Sequence, residues 1–288
     1  ISNNFIYSGP QKRINHIIKA FNKDEMFKTN KHTFNNSYIV QFDKFGKNIL
    51  NNILNSDKKN QKILIGPLMD LASAEELVNI TNQHNNIKIL VASKSAYKNL
   101  LEEYGFPVKE ENIHIAPSGI IEEKELIKNY SIRRKNDHCL IYFKKRSDSE
   151  LESVINLLKK NKITFDLFKY GNYKNKKLIQ SGKKSKFGII LARTESQGFA
   201  IQELLSLNLP LLVWDFTKNK YGEHNLTGTS VSYWSDDCGI KFDRDSQLIT
   251  SFDKLLNNID IFNPTRLIEK ELTYEKYKTN LLDIFDNF

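Results

Sequence analysis

At 288 residues, the chain is long for one ordinary mixed domain and suits two domains of about 130–150 residues each. Its 40% hydrophobic and 11% aromatic residues supply enough apolar side chain for real cores, which excludes collagen-like, disulfide-scaffold and wholly disordered proteins. The net charge of +9 is compatible with nucleic acid, an anionic membrane surface or a phosphorylated substrate. Because most of the basic residues are lysines spread along the chain, an anionic small molecule or lipid headgroup is favoured over nucleic acid.

The cysteines and the apolar runs narrow the class further. Cys139 and Cys238 show no C-x-x-C or histidine-rich spacing, so neither a metal site nor a structural disulfide is expected. No apolar run approaches the roughly 20 residues that a membrane-spanning helix needs. We therefore expect a metal-free cytoplasmic protein, with peripheral membrane contact left open.

The first half alternates short β-branched runs with amphipathic stretches. The predicted strands are the runs NFIYSG, SYIVQF, KILIGP, IKILVAS and NIHIAP, and the clearest helices are SAEELVNITNQH and SAYKNLLEEYG. The second helix is expected to end at Gly105. The charged stretch from Glu122 to His138 has no buried-strand pattern and is interpreted as the connection between two domains.

The second half repeats this alternation. The predicted strands are CLIYFK, ITFDLFKYG, KFGIILAR and PLLVWD, separated by the predicted helices SDSELESVINLLKKN, KNKKLIQSGKKS and ESQGFAIQELLSLN. Ser147 or Asp148 is the expected cap of the first of these helices. An irregular stretch follows, and a helical tail broken near Pro264 runs from Asp245 to the end.

This alternation predicts an α/β fold with parallel sheets. We expect two Rossmann-like, doubly wound domains facing a ligand cleft. The predicted boundaries place an acceptor-side domain at 1–136, a nucleotide-sugar-binding domain at 137–265 and a helical tail at 266–288.

The segment ILARTESQGFAIQELLSLNLPLLVW carries the most chemistry. It predicts a strand, a tight turn, a helix and a second strand, with Thr194 as the expected helix cap. Ligands of open α/β sheets bind beyond the carboxyl ends of strands, and a helix N-terminus beside Gly198 suits a phosphate. Glu195 and Glu203, about 12 Å apart along a helix, are too far apart to act together on one bond as the paired acid and base of a glycosidase. A solvated Glu195 and a surface Glu203 are the alternative interpretation.

The run from Glu195 to Glu203 resembles the E-x7-E motif of GT-B glycosyltransferases, especially the retaining family-4 type. Gly198 matches the last glycine of the family pattern, and LNLPLLVWD stands where its following strand should be. PSGI at 117–120 is similar to another family segment, although the family's aspartate is absent. The resemblance implies that Glu203 holds the ribose hydroxyls of a nucleotide sugar and that Glu195 lies near the donor sugar.

The same resemblance implies the other site residues. The family's G-R-x-x-x-x-K-G loop, which neutralises the diphosphate, is replaced here by a basic run that offers Lys145 and Arg146 as catalytic cations beside Glu195. A solvated basic loop is the alternative for that run. The expected donor-binding residues are Lys144, Gly171, Thr194, Ser196, Gln197, Gly198, Phe199 and Glu203. Ser8, Gly9 and Lys94 lie at ends of predicted strands in the first half and are assigned to the acceptor side.

The resemblance therefore implies a hexosyl- or pentosyltransferase. It would move a sugar from a nucleotide-diphosphate donor, the co-substrate, to a hydroxyl of a glycan, lipid or protein glycan, with retention, without a metal and without another cofactor. The expected partners are that donor and a glycan or lipid-linked acceptor, and nucleic acid is not expected. A GT-B-fold nucleotide-sugar epimerase and a non-enzymatic basic module that binds nucleic acid or membrane are the alternatives.

Overall fold

A computed structural model describes residues 9–21, 33–34, 37–41, 44–57, 59–67, 74–103, 107–129, 138–221 and 224–288. By the proximity of its Cα atoms the chain forms two compact units. Unit 1 comprises Ile1–Gly119 together with Tyr274–Phe288, and unit 2 comprises Ile120–Thr273.

The described strands of unit 1 form one mainly parallel sheet. They are β1 (Thr33–Phe34), β2 (Ser37–Val40), β3 (Lys62–Ile65), β4 (Ile87–Val91) and β5 (Ile113–Ile115). Their order is β1-β2-β3-β4-β5, with β1 antiparallel to β2 and every other pair parallel. The helices of this unit are α1 (Gly9–Phe21), α2 (Lys44–Leu54), α3 (Ala74–Gln83), α4 (Lys94–Lys98) and, from the end of the chain, α11 (Tyr274–Asp286).

Both faces of this sheet are covered. Every residue of β4 is buried, as expected for a parallel strand packed on two sides. Alternate residues point to opposite faces, so Leu64 and Leu90 join one cluster with Tyr277 and Leu281 of α11. The strand residues that point to the opposite face, such as Ile89, join a second cluster with residues of α2 and α3. Unit 1 therefore has two apolar layers around one sheet.

Unit 2 contains a five-stranded, wholly parallel sheet. Its strands are β6 (His138–Lys144), β7 (Thr164–Lys169), β8 (Phe187–Ala192), β9 (Leu211–Trp214) and β12 (Gly239–Phe242). Their order is β12-β9-β8-β6-β7, and β10 (Lys218–Tyr221) and β11 (His224–Thr227) form a separate antiparallel hairpin. The helices are α5 (Glu123–Asn129), α6 (Asp148–Lys160), α7 (Asn175–Lys184), α8 (Phe199–Ser206), α9 (Leu248–Asn257) and α10 (Thr265–Glu271).

The compact units do not end at the predicted domain boundaries. The charged connection contains α5, whose Leu126 is fully buried in the core of unit 2. The Ile120 amide donates to the Leu272 carbonyl at 2.7 Å, which joins both ends of unit 2. The predicted tail is also divided, because α10 packs in unit 2 whereas α11 packs in unit 1.

Several predicted elements differ locally. In the predicted strand at 4–9, residues 4–8 lie outside the described residues and Gly9 begins α1. The stretch after β9, interpreted as irregular, contains the β10–β11 hairpin. Ser147 is the cap of α6 and completes a capping box with Glu150, as the sequence predicts. Among the described residues, every helix is too short or too polar to cross a lipid bilayer.

Candidate functional site

The candidate site begins where three neighbouring strands of unit 2 end. Because β7, β6 and β8 are parallel neighbours, their carboxyl ends lie at one edge of the sheet. The Tyr170 amide donates to the Phe143 carbonyl at 2.9 Å, and the Arg193 amide donates to the Lys144 carbonyl at 3.2 Å. The loops that follow these strands therefore start side by side.

A largely buried ion pair connects the end of β6 to the loop after β8. The Lys144 ammonium nitrogen lies 2.7 and 2.8 Å from the two carboxylate oxygens of Glu195. The side chains are only 17% and 11% exposed, so water screens this pair weakly. The same ammonium lies 4.4 Å from the ring centroid of Tyr170. The structure thus brings together a predicted catalytic carboxylate and a predicted donor-binding cation.

Burial and pairing act in opposite directions on Glu195. Loss of hydration raises the pKa of its carboxyl above the usual 4.5, whereas the nearby ammonium of Lys144 favours the carboxylate and lowers it. The burial effect is the larger of the two. The loop itself is held in place, because the Glu195 amide donates to the Thr229 carbonyl at 2.9 Å and the Ser232 hydroxyl donates to the Glu195 carbonyl.

The helix after Glu195 starts later than the sequence predicts. Gly198 is its N-cap with φ of +80°, a left-handed conformation that cannot continue a right-handed helix. The helix α8 begins at Phe199, and no side chain caps it. The expectation that Thr194 caps this helix is therefore wrong. Glu195 stands in the preceding loop, so its distance from Glu203 does not follow from helical rise.

Other predicted donor-site residues have mixed surroundings. Gln197 is buried and donates to the Gln202 side chain at 3.2 Å, while Gln202 donates back to the Gln197 carbonyl at 2.8 Å. Ser196 is half-buried. Phe199 packs against the core of unit 2. Two of the three thus have side chains engaged within the protein.

Glu203 and Gly171 lie toward the β7 side of the site. The half-buried Glu203 accepts a hydrogen bond at 3.3 Å from the side chain of Asn175, the first residue of α7. Gly171 is exposed with φ of +85°, and an added Cβ would have no atom within 4 Å. The glycine therefore serves the backbone conformation rather than close packing within the chain.

The three basic residues at the end of β6, Lys144, Lys145 and Arg146, differ in their exposure and in their contacts. The Arg146 side chain is 3% exposed, and its guanidinium donates to the carbonyls of Ala192 at 3.2 Å and Trp214 at 2.8 Å and pairs with Glu150. Lys145 is exposed with φ of +54°. Arg146 therefore binds the ends of neighbouring strands, and Lys145 is the outward cation.

Asp215 is a supporting residue that sequence reasoning missed. It is buried directly after β9 and accepts hydrogen bonds from the Ser230 amide at 2.7 Å and the Thr229 hydroxyl at 2.9 Å. The Ser230 hydroxyl in turn donates to the Ala192 carbonyl at 2.6 Å. This network holds the loop that fixes the Glu195 backbone. The only sequence signal was an aspartate at a strand end.

Tyr142, Tyr170 and Tyr173 were also missed. Tyr142 is buried in β6, and Tyr173 packs against the same core. Tyr170 is 54% exposed beside Lys144. Three tyrosines at the ends of adjacent strands could have been a signal, since an aromatic ring with a polar tip suits the edge of a site.

The acceptor-side predictions fall in unit 1. Ser8 lies outside the described residues, and Gly9 is the first residue of α1. Lys94 is exposed at the start of α4, behind a Ser93 hydroxyl that accepts from the Ala96 amide at 3.3 Å. These roles stay predictions.

A metal site was not expected from the sequence. Within the described ranges, no three histidine, cysteine, aspartate or glutamate side chains are grouped so that they could hold a metal ion.

Nothing among protein-family models matches the chain, and no curated protein matches it. Solved structures do. TarM is 16% identical, covers 87% of this chain and has a TM-score of 0.54. A mutant of S. aureus TarM in complex with fondaparinux, alpha-GlcNAc-glycerol and UDP is 14% identical, covers 94% and also scores 0.54. The pneumococcal O-GlcNAc transferase GtfA in complex with UDP and GlcNAc is 12% identical, covers 87% and scores 0.50.

These similarities concern the fold. The chain spans 54%, 59% and 56% of the three solved chains, respectively. At such low identity the likeness says nothing by itself about substrates. Together with the two parallel sheets, it confirms the prediction of two Rossmann-like domains, as in the GT-B glycosyltransferases.

Proposed function

We propose that the chain is a glycosyltransferase that moves a sugar from a nucleotide-diphosphate donor to a hydroxyl acceptor, with the donor site in unit 2. The buried Lys144–Glu195 pair at the converging strand ends carries this proposal. Removing two charged groups from water has a free-energy cost that burying two apolar side chains does not have. Carboxyl groups with perturbed pKa values cluster at functional sites. The GT-B fold supports the same conclusion.

In this proposal each residue of the site contacts a different part of the nucleotide-sugar donor. Glu203 accepts hydrogen bonds from the ribose hydroxyls, and Glu195 contacts the donor sugar. Lys144 and Lys145 neutralise the diphosphate, which gains charge as it departs. Arg146 positions this loop, because its guanidinium is already engaged with two backbone carbonyls and Glu150.

Lys144 must change partner during the reaction. In the free protein its ammonium holds both oxygens of Glu195. A diphosphate brings more negative charge than one carboxylate, so donor binding draws Lys144 away and releases Glu195 to the sugar. The pair thereby keeps both groups in place before the donor arrives.

The chemistry is a substitution at the anomeric carbon. The bond between that carbon and the diphosphate oxygen breaks, and its electron pair stays on the diphosphate. The acceptor hydroxyl oxygen forms the new bond from the same face, with retention, and its proton passes to the departing diphosphate. No divalent metal is needed, because lysine ammonium groups supply the positive charge. We place the acceptor among glycans, lipids and protein glycans, and the enzyme in the cytoplasm.

A ligand screen followed by titration tests this function. Nucleotide sugars are first screened by thermal shift, since a ligand that binds only the folded state raises its stability. Calorimetry then compares Glu203→Ala and Glu195→Ala. We expect Glu203→Ala to weaken nucleoside diphosphate and intact donor alike, by about 10- to 100-fold for hydrogen bonds to a charged group. Glu195→Ala should spare the free nucleoside diphosphate and impair transfer.

The controls separate the alternatives. Glu152→Ala, on an exposed position of α6, should change neither binding nor transfer. Unchanged affinity in a folded Glu203→Ala protein would remove the donor-site assignment. Conversion of the donor to an epimer without acceptor would identify an epimerase. Loss of transfer with a chelator and its recovery with a divalent cation would disprove metal independence.

A further inference from the structure

Two tyrosines connect the halves of the proposed donor site. Tyr142 lies two residues before Lys144 in β6, so both side chains point to the same face of the strand. Tyr173 lies between β7 and α7, and its ring meets the Tyr142 ring edge-on with centroids 6.1 Å apart. It meets the ring of Phe168 in the same way at 5.7 Å. Two edge-on contacts hold the Tyr173 ring in place.

The surroundings of Tyr173 connect it to both glutamates. On one side, Asn175 lies two residues further along the chain and donates to Glu203 at 3.3 Å. On the other side, Tyr142 shares its strand face with Lys144, which holds Glu195 at 2.7 Å. In the proposed assignment Glu203 contacts the ribose and Glu195 contacts the sugar, and the diphosphate joins these two parts of the donor.

The Tyr173 hydroxyl keeps its proton. The pKa of Tyr173 is raised to about 12, mainly by burial; a hydrogen bond with Tyr142 lowers it, and the negative charges of Glu203 and Glu195 contribute to the rise. A protonated phenol is a neutral hydrogen-bond donor.

From this geometry we infer that Tyr173 donates a hydrogen bond to the second phosphate of the donor, the one attached to the sugar, and that Tyr142 orients it for this contact. The inference rests on the proposed function. Tyr173 acts as a neutral donor beside the two lysines, and its proton stays on the phenol while the diphosphate accumulates charge. Tyr142 is a positioning residue, because it touches Tyr173 and not the substrate.

Matched nucleotides test this inference directly. Wild-type protein and Tyr173→Phe are titrated with UDP and UMP, and the guanosine and adenosine pairs are run in parallel. We expect Tyr173→Phe to lower the affinity for the diphosphate about tenfold and to leave the monophosphate within about twofold, because only the second phosphate loses a hydrogen bond. The turnover number should fall by about 10- to 100-fold, since the contact strengthens as charge develops.

Variants of the neighbouring tyrosines serve as comparisons. Tyr142→Phe should give a smaller loss, about threefold, again for the diphosphate alone. The double variant Tyr142→Phe with Tyr173→Phe removes both hydroxyls, leaves neither unpaired, and should match Tyr173→Phe. As a control outside the site, Tyr97→Phe in unit 1 removes a hydroxyl that donates to Glu110 at 2.8 Å, and it should bind both nucleotides as the wild type does.

Two results would overturn the inference. Equal losses for monophosphate and diphosphate would place the Tyr173 hydroxyl elsewhere, and unchanged diphosphate affinity in the folded double variant would remove it from the site. In both cases a wild-type protein that binds diphosphate leaves the proposed function standing. A wild-type protein that binds none of these nucleotides would instead disprove the proposed function, and the inference with it.

Discussion

Both units are built on a mainly parallel sheet, but different kinds of residue stand at the carboxyl ends of its strands. Apart from the exposed Lys94 that comes after Ser93, the described strands β3, β4 and β5 of unit 1 are followed by neutral residues, namely Gly66–Pro67, Ala92–Ser93 and Ala116–Ser118. Their hydroxyls serve the chain itself, since Ser93 caps α4 and Ser118 accepts from buried Arg13 at 2.8 Å.

In unit 2 the corresponding edge carries the ion pair of Lys144 with Glu195 and three tyrosines. One lysine in each unit shows the same contrast. Lys88 of unit 1 donates to the neutral oxygens of Glu111, a carbonyl at 2.8 Å, and Asn112, an amide at 3.2 Å. Lys144 of unit 2 is satisfied by a carboxylate. A parallel sheet therefore supplies the position, and the residues at its strand ends decide whether the edge is structural or chemical.

The largest expected effect comes from breaking the ion pair. Lys144→Met leaves the Glu195 carboxylate buried without its cation, which should cost about 2–4 kcal/mol of unfolding free energy at pH 7. The Glu195 pKa is already raised by burial, and removing the cation raises it further. The loss should therefore be full above that pKa and shrink as the pH falls toward 5, because a protonated carboxyl needs no cation. Urea denaturation at both pH values measures it.

Lys88→Met is the matched control from unit 1. It leaves neutral oxygens unpaired, so we expect a loss of about 1 kcal/mol. Equal losses for the two variants, or a Lys144→Met loss that persists unchanged at pH 5, would contradict the difference drawn between the two edges.

Lowering the pH should reduce the stability loss of Lys144→Met in unit 2, but it should destabilise unit 1 of the wild-type protein. In unit 1, burial and the charges of Lys19, Lys12 and Arg13 lower the pKa of His16 from 6.5 to about 3. Below pH 6.5 the unfolded chain binds a proton that the folded chain refuses, so stability falls as the pH decreases. Between pH 6.5 and pH 4.5 the expected loss is about 2–3 kcal/mol.

Hydrogen exchange of unit 1 amides at several pH values measures this loss. His16→Gln should flatten the dependence, whereas His84→Gln, on a half-buried position after α3, should leave it as in the wild type. Equal opening free energies of unit 1 amides at pH 6.5 and pH 4.5, after correction for the intrinsic exchange rate at each pH, would show that His16 is not buried in its neutral form.

The smallest effect separates the two cations after Lys144. Lys145→Ala removes an exposed charge and should leave the melting temperature within about 1–2 °C while lowering turnover about tenfold, or about 1.4 kcal/mol of transition-state stabilisation. Arg146→Gln should instead lower the melting temperature, because it releases the carbonyls of Ala192 and Trp214. Melting curves and steady-state rates of the two variants decide between these roles. If the Arg146→Gln protein kept both its melting temperature and its rates, the contacts of Arg146 would contribute to neither stability nor turnover, and the prediction would be wrong.

Much of the fold could be predicted from local patterns. Strands such as Phe187–Ala192 are continuous apolar runs, because a central parallel strand is buried on both faces. The start of α6 is predictable from Ser147 and Glu150, because the capping box that they form depends only on residues close together in the sequence. The helices α1 and α2 lie in the amphipathic stretches predicted between the strands of the first half, although the sequence analysis gave them no bounds.

The sequence placed the candidate site after an apolar strand, on the spacing of Glu195 and Glu203, and that assignment stays a prediction. The structure adds local details that the sequence could not supply. The start of α8 escaped prediction, because a left-handed Gly198 cannot be distinguished from a flexible one by sequence. The division of labour among the basic residues also escaped, since the contacts of Arg146 lie 46 and 68 residues away.

The sequence by itself determined the alternation of strands and helices, the parallel sheets and the strand end that carries the carboxylates, because these depend on periodicity and on residues close together in the chain. Tertiary structure alone decided that Lys144 meets Glu195 across 51 residues, that Tyr173 meets Tyr142, and that α11 joins the first unit rather than the second. Each of these depends on which distant surfaces bury each other, and burial sets the strength of a charge or a hydrogen bond more than residue type does.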